Sequence, residues 1–270
     1  MVGGEGGSGG AAAELTASLR EAYDAAAPAW AHGAELVYLP LARALVGQLD
    51  VAGRRVLDLG AGSGAAGRAA LAAGARSVVA ADIAVGMLRR CAPPLRPVTA
   101  DALRLPFRDR CFDLVLAAFS LSHLPSLEVA LLEARRVGAA IAASSFAPGW
   151  SHPAKDAVDA ALRPFGYLPP AWYPQFKQET ERAAGDPDEL AARLAAAGFG
   201  KARIRPVTVR TGISSPAELA AWRLGMAHVA PFIASLGADD ASAVRQAAER
   251  AVTASAAGPL TVSLLVATAS

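Results

Sequence analysis

The sequence predicts an α/β fold built on a doubly wound, mostly parallel sheet with helical insertions. Three observations predict it. An apolar run enters a glycine-rich loop and then an Ala-rich helix; strand-like and helix-like segments alternate from there to about residue 146; and a last apolar strand arrives only after a long helical stretch.

The loop reads Val56-Leu57-Asp58-Leu59-Gly60-Ala61-Gly62-Ser63-Gly64 and lies between a strand at 55–59 and a helix at 65–73. Glycine at 60, 62 and 64 lets the backbone turn sharply and approach a ligand with no Cβ in the way. A helix N-terminus behind such a loop favours phosphate. Asp58, at the mouth of the loop, opposes it: a carboxylate about 4 Å from a phosphate charge costs roughly 1 to 4 kcal/mol. The same carboxylate attracts a ligand that carries an ammonium and a sulfonium.

Downstream, a strand at 77–81 ends at Asp82, where a carboxylate can accept both hydroxyls of a ribose. Ile83 and Met87 follow as apolar neighbours for an adenosine, or as core of the next helix. A short strand at 97–99 leads into Ala100-Asp101-Ala102-Leu103-Arg104-Leu105-Pro106-Phe107. The next strand, 112–118, runs into Phe119-Ser120-Leu121-Ser122-His123-Leu124-Pro125, at the carboxyl end of a central strand, where open α/β sheets place ligands.

Asp58 to Gly64 resembles the first motif of class I S-adenosylmethionine-dependent methyltransferases, Asp101 and its successors resemble their third, and Phe112-Asp113 their usual start of the fourth strand. The resemblance runs from Tyr23 to the C-terminus. It implies a Rossmann-like sheet of seven strands with the last antiparallel, and S-adenosylmethionine as cofactor. It also implies cofactor contacts from Asp58, Gly60, Ala61, Gly62, Asp82, Ile83, Met87, Asp101, Ala102, Phe119 and Tyr23. In that pattern Asp101 takes the adenine amino group and the Ala102 amide a ring nitrogen. Tyr23 and Trp30 belong to an N-terminal lid, where an aromatic residue can cover the methionine end, or are ordinary core aromatics. His123 is the candidate catalytic residue; removing a proton, lining the pocket and a purely structural role all stay open.

The remaining elements follow in order. Helices occupy 14–48 with a break near Pro28 to Gly33. A helix at 126–137 precedes a strand at 139–146, without the arginine-proline-glycine-glycine turn usual in the family. Residues 147–185 hold a concentration of aromatics broken up by prolines. Asp186-Pro187-Asp188-Glu189 reads as N-cap, first-turn proline and capping-box acid for a helix to Ala197, closed by Gly198. A strand at 202–209, a helix opened by Ser215-Pro216-Ala217-Glu218, a helix at 239–254 and a strand at 260–267, antiparallel to the strand at 202–209, complete the chain. The expected layout is a flexible tail at 1–13 and one domain at 14–270, with a helical lid at 14–50 and cap insertions at 147–185 and 214–257. Trp30, Trp150, Trp172, Tyr173, Trp222 and Met226 are candidate substrate contacts, or satellite core; Arg223 and His228 lie within reach of the same place.

Bulk properties narrow the partners. The 270 residues are 53% apolar, with 26 Lys plus Arg against 24 Asp plus Glu and no basic run, which argues against nucleic acid. Cys91 and Cys111 make neither a disulfide framework nor a metal motif, and the four scattered histidines suggest no metal. No signal peptide or membrane span is legible, so a cytoplasmic protein without membrane insertion is expected, with its oligomeric state open. The reaction expected is methyl transfer to a small apolar or aromatic metabolite, as in quinone-biosynthesis and natural-product methyltransferases, on O, C or N. The alternatives are cofactor binding without methyl transfer, as in a cyclase, and, less well matched, an NAD-dependent oxidoreductase using Gly60-x-Gly62-x-x-Ala65.

Overall fold

The structure, a computed structural model, describes residues 7–270. Five parallel strands come first: β1 (Arg55–Leu59), β2 (Ser77–Asp82), β3 (Arg96–Thr99), β4 (Leu114–Ala118) and β5 (Ile141–Phe146). β6 (Arg203–Arg210) and β7 (Thr261–Ala269) follow, and β7 inserts antiparallel between β5 and β6. Among the described residues this is one seven-stranded sheet in the order β3-β2-β1-β4-β5-β7-β6, the expected arrangement. β1 is buried from Val56 onward and β4 up to Ala117, as central parallel strands covered on both faces must be. Both edge strands carry Pro and Arg: Arg96-Pro97 in β3, and Arg203, Arg205, Pro206 and Arg210 in β6. Missing donors and charges at an edge discourage pairing with another chain.

α1 (Gly7–His32) and α2 (Ala34–Val46) precede the sheet, and α3 (Ala65–Ala72), α4 (Val85–Leu88) and α5 (Leu127–Val137) connect its parallel strands. After β5 come α6 (Pro153–Leu162), α7 (Trp172–Gln175), α8 (Glu181–Gly185) and α9 (Pro187–Ala196). α10 (Pro216–Leu224), α11 (Ala230–Ser235) and α12 (Ala238–Ala254) lie between β6 and β7. α10 opens with a complete Ser215/Glu218 capping box. No described helix is long and apolar enough to cross a membrane.

Several expected boundaries move. α1 begins at Gly7, inside the stretch expected as a flexible tail to residue 13; Met1 to Gly6 lie outside the described residues. The helix also continues through Pro28, and the break falls at Gly33 alone. Gly33 is required there by close packing: a Cβ would stand 2.1 Å from the Ala221 carbonyl oxygen of α10. β4 starts at Leu114 rather than residue 112, because Phe112 forms only an isolated bridge with Gly138 and the Asp113 carboxylate takes the Arg55 amide and guanidinium. β5 starts at Ile141 rather than 139. Glu189 does not close a capping box on Asp186, whose N–H already donates to the Arg182 carbonyl; it pairs with Arg193 instead. Asp186 still caps α9 through its carboxylate, which accepts from the Asp188 and Glu189 amides.

Replacing Gly33 with alanine forces α10 away from the α1–α2 corner. Overpacking of this kind costs about 1 to 3 kcal/mol, so Gly33→Ala should lower the urea midpoint accordingly; an unchanged midpoint would show that the corner yields freely.

Candidate active site

The order β3-β2-β1-β4-β5 reverses direction between β1 and β4, and loops leaving two neighbouring strands in opposite directions open a crevice at their carboxyl ends. The loop after β1 forms one wall. Gly60, Gly62 and Gly64 all have positive φ (67°, 55° and 85°). Gly60 has no space for a side chain, since a Cβ would lie 2.4 Å from Ser120 Cβ in the turn after β4. The Ser120 hydroxyl donates to the Leu59 carbonyl at 2.6 Å and ties the two loops together.

Three carboxylates surround this cavity. Asp58 is 1% exposed, and its Oδ2 accepts from the Gly67 amide in the first turn of α3 at 2.7 Å. Burial raises its pKa from 3.8 to about 7, against the Gly67 hydrogen bond, which lowers it. Asp82 accepts from the Gly62 amide through Oδ2 (2.7 Å) and from the Ala84 amide through Oδ1 (2.8 Å). Burial raises its pKa too, and those amides moderate the shift. Asp101 accepts from the Leu103 amide at 2.9 Å through Oδ1 only.

A second cavity, of about 320 Å³, adjoins the first. Tyr23, Tyr38, Phe119 and His123 line both. Phe146 and Trp150 stack at 4.8 Å between ring centroids and Tyr173 and His228 at 3.9 Å, with Trp172, Phe176, Trp222 and Met226 completing an aromatic wall. Lys155, Lys177 and Arg223 add cationic groups. At the junction, Phe119 holds a left-handed φ of 58°. His123 Nδ1 lies 3.0 Å from the Phe119 carbonyl oxygen, which can only accept, so Nδ1 carries the proton and Nε2 is left with its lone pair. Burial lowers the His123 pKa to about 4, with a smaller push from the Lys177 charge, and the imidazole is neutral at pH 7. Its ring stacks on Phe176 at 4.5 Å and meets Tyr23 edge-on at 5.6 Å.

All eleven residues expected around a cofactor line the first cavity, and His123 lies between the two. Trp150, Trp172, Tyr173, Trp222 and Met226 line the second. Trp30 does not: it was expected on the substrate side, yet it lines the first cavity, stacked on Tyr38 at 5.1 Å. The helix runs unbroken through Pro28, so Trp30 stays two turns from Tyr23 on the same face. Tyr38, Lys155 and Lys177 were missed; Tyr38 sits in an apolar helix with no motif around it, and its placement depends on tertiary packing.

A family profile described as "Methyltransferase domain" matches residues 57–140. A demethylmenaquinone methyltransferase of Streptomyces griseus is 34% identical over 170 residues, 57% of this chain and 72% of that protein. The chain belongs to the class I S-adenosylmethionine-dependent methyltransferases. Among solved structures, a putative methyltransferase from an antibiotic biosynthesis pathway of Anabaena variabilis shares the fold, with a TM-score of 0.58 at 16% identity over 84% of this chain and 95% of its own. A phosphoethanolamine N-methyltransferase of Haemonchus contortus, solved with S-adenosylhomocysteine, aligns with a TM-score of 0.51 at 14% identity, covering 85% of this chain and 52% of its own. The oxidoreductase reading is set aside.

This methyltransferase uses S-adenosylmethionine, and its first cavity fits that group. Gly60 and Gly62 line it with bare backbone, and the Asp82 carboxylate keeps lone-pair capacity beyond the bonds it accepts from the Gly62, Ala84 and Ile83 amides. No pyrophosphate-binding group replaces Asp58, whose charge suits a cationic ligand.

The raised Asp58 pKa has a stability consequence. Between the unfolded value of 3.8 and the folded value of about 7, the folded chain binds the extra proton, so the Asp58 contribution to stability falls as pH rises across that window and is level above it. Asp58→Asn, which retains an acceptor for the Gly67 amide, should remove this slope from denaturation midpoints measured without cofactor between pH 4 and 8; an unaltered slope would show that Asp58 is ionised throughout.

Proposed function

We propose that this methyltransferase methylates a planar, largely apolar or aromatic small molecule held in the second cavity. One observation carries the reading: an aromatic-walled cavity meets the cofactor cavity at Tyr23, Tyr38, Phe119 and His123. At about 320 Å³ it is of the size that small metabolites occupy. The acceptor named for the Streptomyces griseus relative, demethylmenaquinone, supports an acceptor of this kind.

Bound S-adenosylmethionine supplies a methyl group already activated on a sulfonium. The chain's own work is holding and aligning. Asp82 would accept from the ribose hydroxyls with its remaining lone-pair capacity, and Asp101 Oδ2, unused by the Leu103 bond, would accept from the adenine amino group beside the Ala102 amide. Asp58, driven toward its ionised form by a nearby cation, sets the ammonium end. Ile83 and Met87 pack on the adenosine. α1 covers the cavity with Leu19, Tyr23 and Trp30, and is held down where Asp24 accepts the Gly86 amide of α4. Aligning nucleophile, methyl and sulfur in this way can supply about 7 to 11 kcal/mol. His123 Nε2 then accepts the proton that the acceptor loses. With a pKa of about 4 it is a weak base, suited to an acceptor whose own acidity rises as its bond to methyl forms.

Two measurements test these roles. Asp82→Ala should weaken S-adenosylhomocysteine binding by about one to two decades in calorimetry, the scale of a lost charge-assisted hydrogen bond; equal affinity would contradict the ribose role. His123→Ala should lower kcat more than cofactor affinity. In the unsubstituted protein kcat should hold down to acid pH and fall only as His123 is protonated near pH 4, and the variant should lack that limb. Unchanged turnover in the variant would make His123 structural.

A further inference from the structure

The second cavity is not purely apolar. Lys155, in the first turn of α6, places its ammonium 5.2 Å from the centre of the Trp150 ring and lines the cavity. Among the described residues no carboxylate pairs with it. Burial lowers its pKa, and the Lys177 and Arg223 charges push it the same way against weaker support from Glu181 and Asp156. The other cations of the wall are matched. Lys177 pairs with Glu181. Arg223 grips Asp159 through two bonds of 2.8 and 2.6 Å. Arg182, 68% exposed, faces Glu189 at 3.6 Å. Asp186 is held by the amides it caps. Among the described residues Lys155 is the one cation of this wall with no ion-pair partner, an expensive arrangement in an aromatic pocket unless a ligand completes it.

A second, independent observation points to a ligand. Trp222 Nε1 and His228 Nε2 are buried with no hydrogen-bond partner among the described residues. Trp222 is 3% exposed and His228 5%, and both line this cavity. Buried polar groups are nearly always satisfied, and each exception calls for an explanation. Indole N–H is a donor only, and a neutral imidazole can present its N–H. A ligand bearing acceptor oxygens would engage both once these side chains turn their enclosed nitrogens toward the cavity.

We infer that the methyl acceptor is an aromatic monoanion whose carboxylate is bound at Lys155, with Trp222 and His228 as neutral donors to its oxygens and the Phe146–Trp150 and Tyr173–His228 stacks around its ring. The inference rests on the second cavity being the acceptor site. A single uncompensated cation matches a carboxylate and not a phosphate dianion. Lys155 then serves recognition, while His123, at the other end of the cavity, faces the reacting atom.

The full chain saturated with S-adenosylhomocysteine should be titrated with 2-naphthoate, 2-naphthamide and 2-naphthyl phosphate, followed by quenching of the cavity tryptophans and by calorimetry. The carboxylate should bind at least about tenfold more tightly than the amide, the scale of a charge-assisted hydrogen bond. Lys155→Met should bring the two within about twofold while leaving S-adenosylhomocysteine affinity unchanged. Equal binding of carboxylate and amide by the unsubstituted protein, or a preference that survives Lys155→Met, overturns the carboxylate site and leaves an aromatic acceptor cavity standing. Tighter binding of the phosphate than of the carboxylate overturns the monoanion. Binding of none of the three overturns the acceptor cavity itself.

Discussion

The site depends on how closely the turn after β4 approaches the loop after β1. Gly60 has no Cβ because Ser120 occupies that space, and the Ser120 hydroxyl closes the contact on the Leu59 carbonyl. For Ser120 to reach that position, the chain leaves β4 through Phe119 in a left-handed conformation, which costs a non-glycine residue about 1 to 2 kcal/mol. Its neighbours offset that cost: the Phe119 amide donates to the Ser144 carbonyl, the His123 amide to Ser120, and the His123 ring to the Phe119 carbonyl. The same turn therefore shapes the cradle, fixes the tautomer of His123 and sets Phe119 between the two cavities. Backbone strain at a ligand-facing turn, over-determined by its surroundings, is characteristic of functional positions.

On either side of that turn the charge balance differs in sign. Asp58, Asp82 and Asp101 stand around the first cavity, whereas the second is lined by Lys155, Lys177, Arg182 and Arg223 against Glu181 and Asp186. Tyr23, Tyr38, Phe119 and the neutral His123 form a partition between them that carries no formal charge. A cationic cofactor and the proposed anionic acceptor would each be favoured on their own side and disfavoured on the other. Such a division orders two ligands that must meet in one orientation, and it does so by repulsion as much as by attraction.

The cofactor side was readable from the sequence because its information is local. Asp58, Gly60 and Gly62 sit within five consecutive positions, and Asp82 ends β2 while Asp101 follows β3 by two residues, strands whose place in the sheet follows from the alternation of elements. The acceptor side was only half readable. Its tryptophans stood out against a chain poor in aromatics, but Trp30 read equally as lid and as substrate contact, because whether α1 breaks at Pro28 decides where that ring points. Lys155 was not distinguishable from any lysine in the first turn of an amphipathic helix. What sets it apart is the absence of a carboxylate partner across space, a property of packing that no spacing rule encodes. The helical start at Gly7 was likewise hidden, since a Gly-rich composition argues against a helix by propensity alone.

The same asymmetry explains what the resemblance to other proteins does and does not carry. The matched methyltransferase domain, 57–140, contains the glycine loop, all three carboxylates, Phe119 and His123. Apart from Phe119, Ser122 and His123, the wall of the second cavity lies outside it, in residues 145–186 and 222–228 and in Tyr23 and Tyr38 of α1 and α2. The wall is assembled from several short elements that meet only through side-chain packing, so its residues can change without disturbing the cradle, which is fixed by backbone geometry. The donor of the methyl group is thereby a property of the fold, and the acceptor a property of the insertions laid over it. An acceptor different in charge from the one named for a relative would require no change in the sheet: it would require one lysine on α6 that no carboxylate among the described residues pairs with.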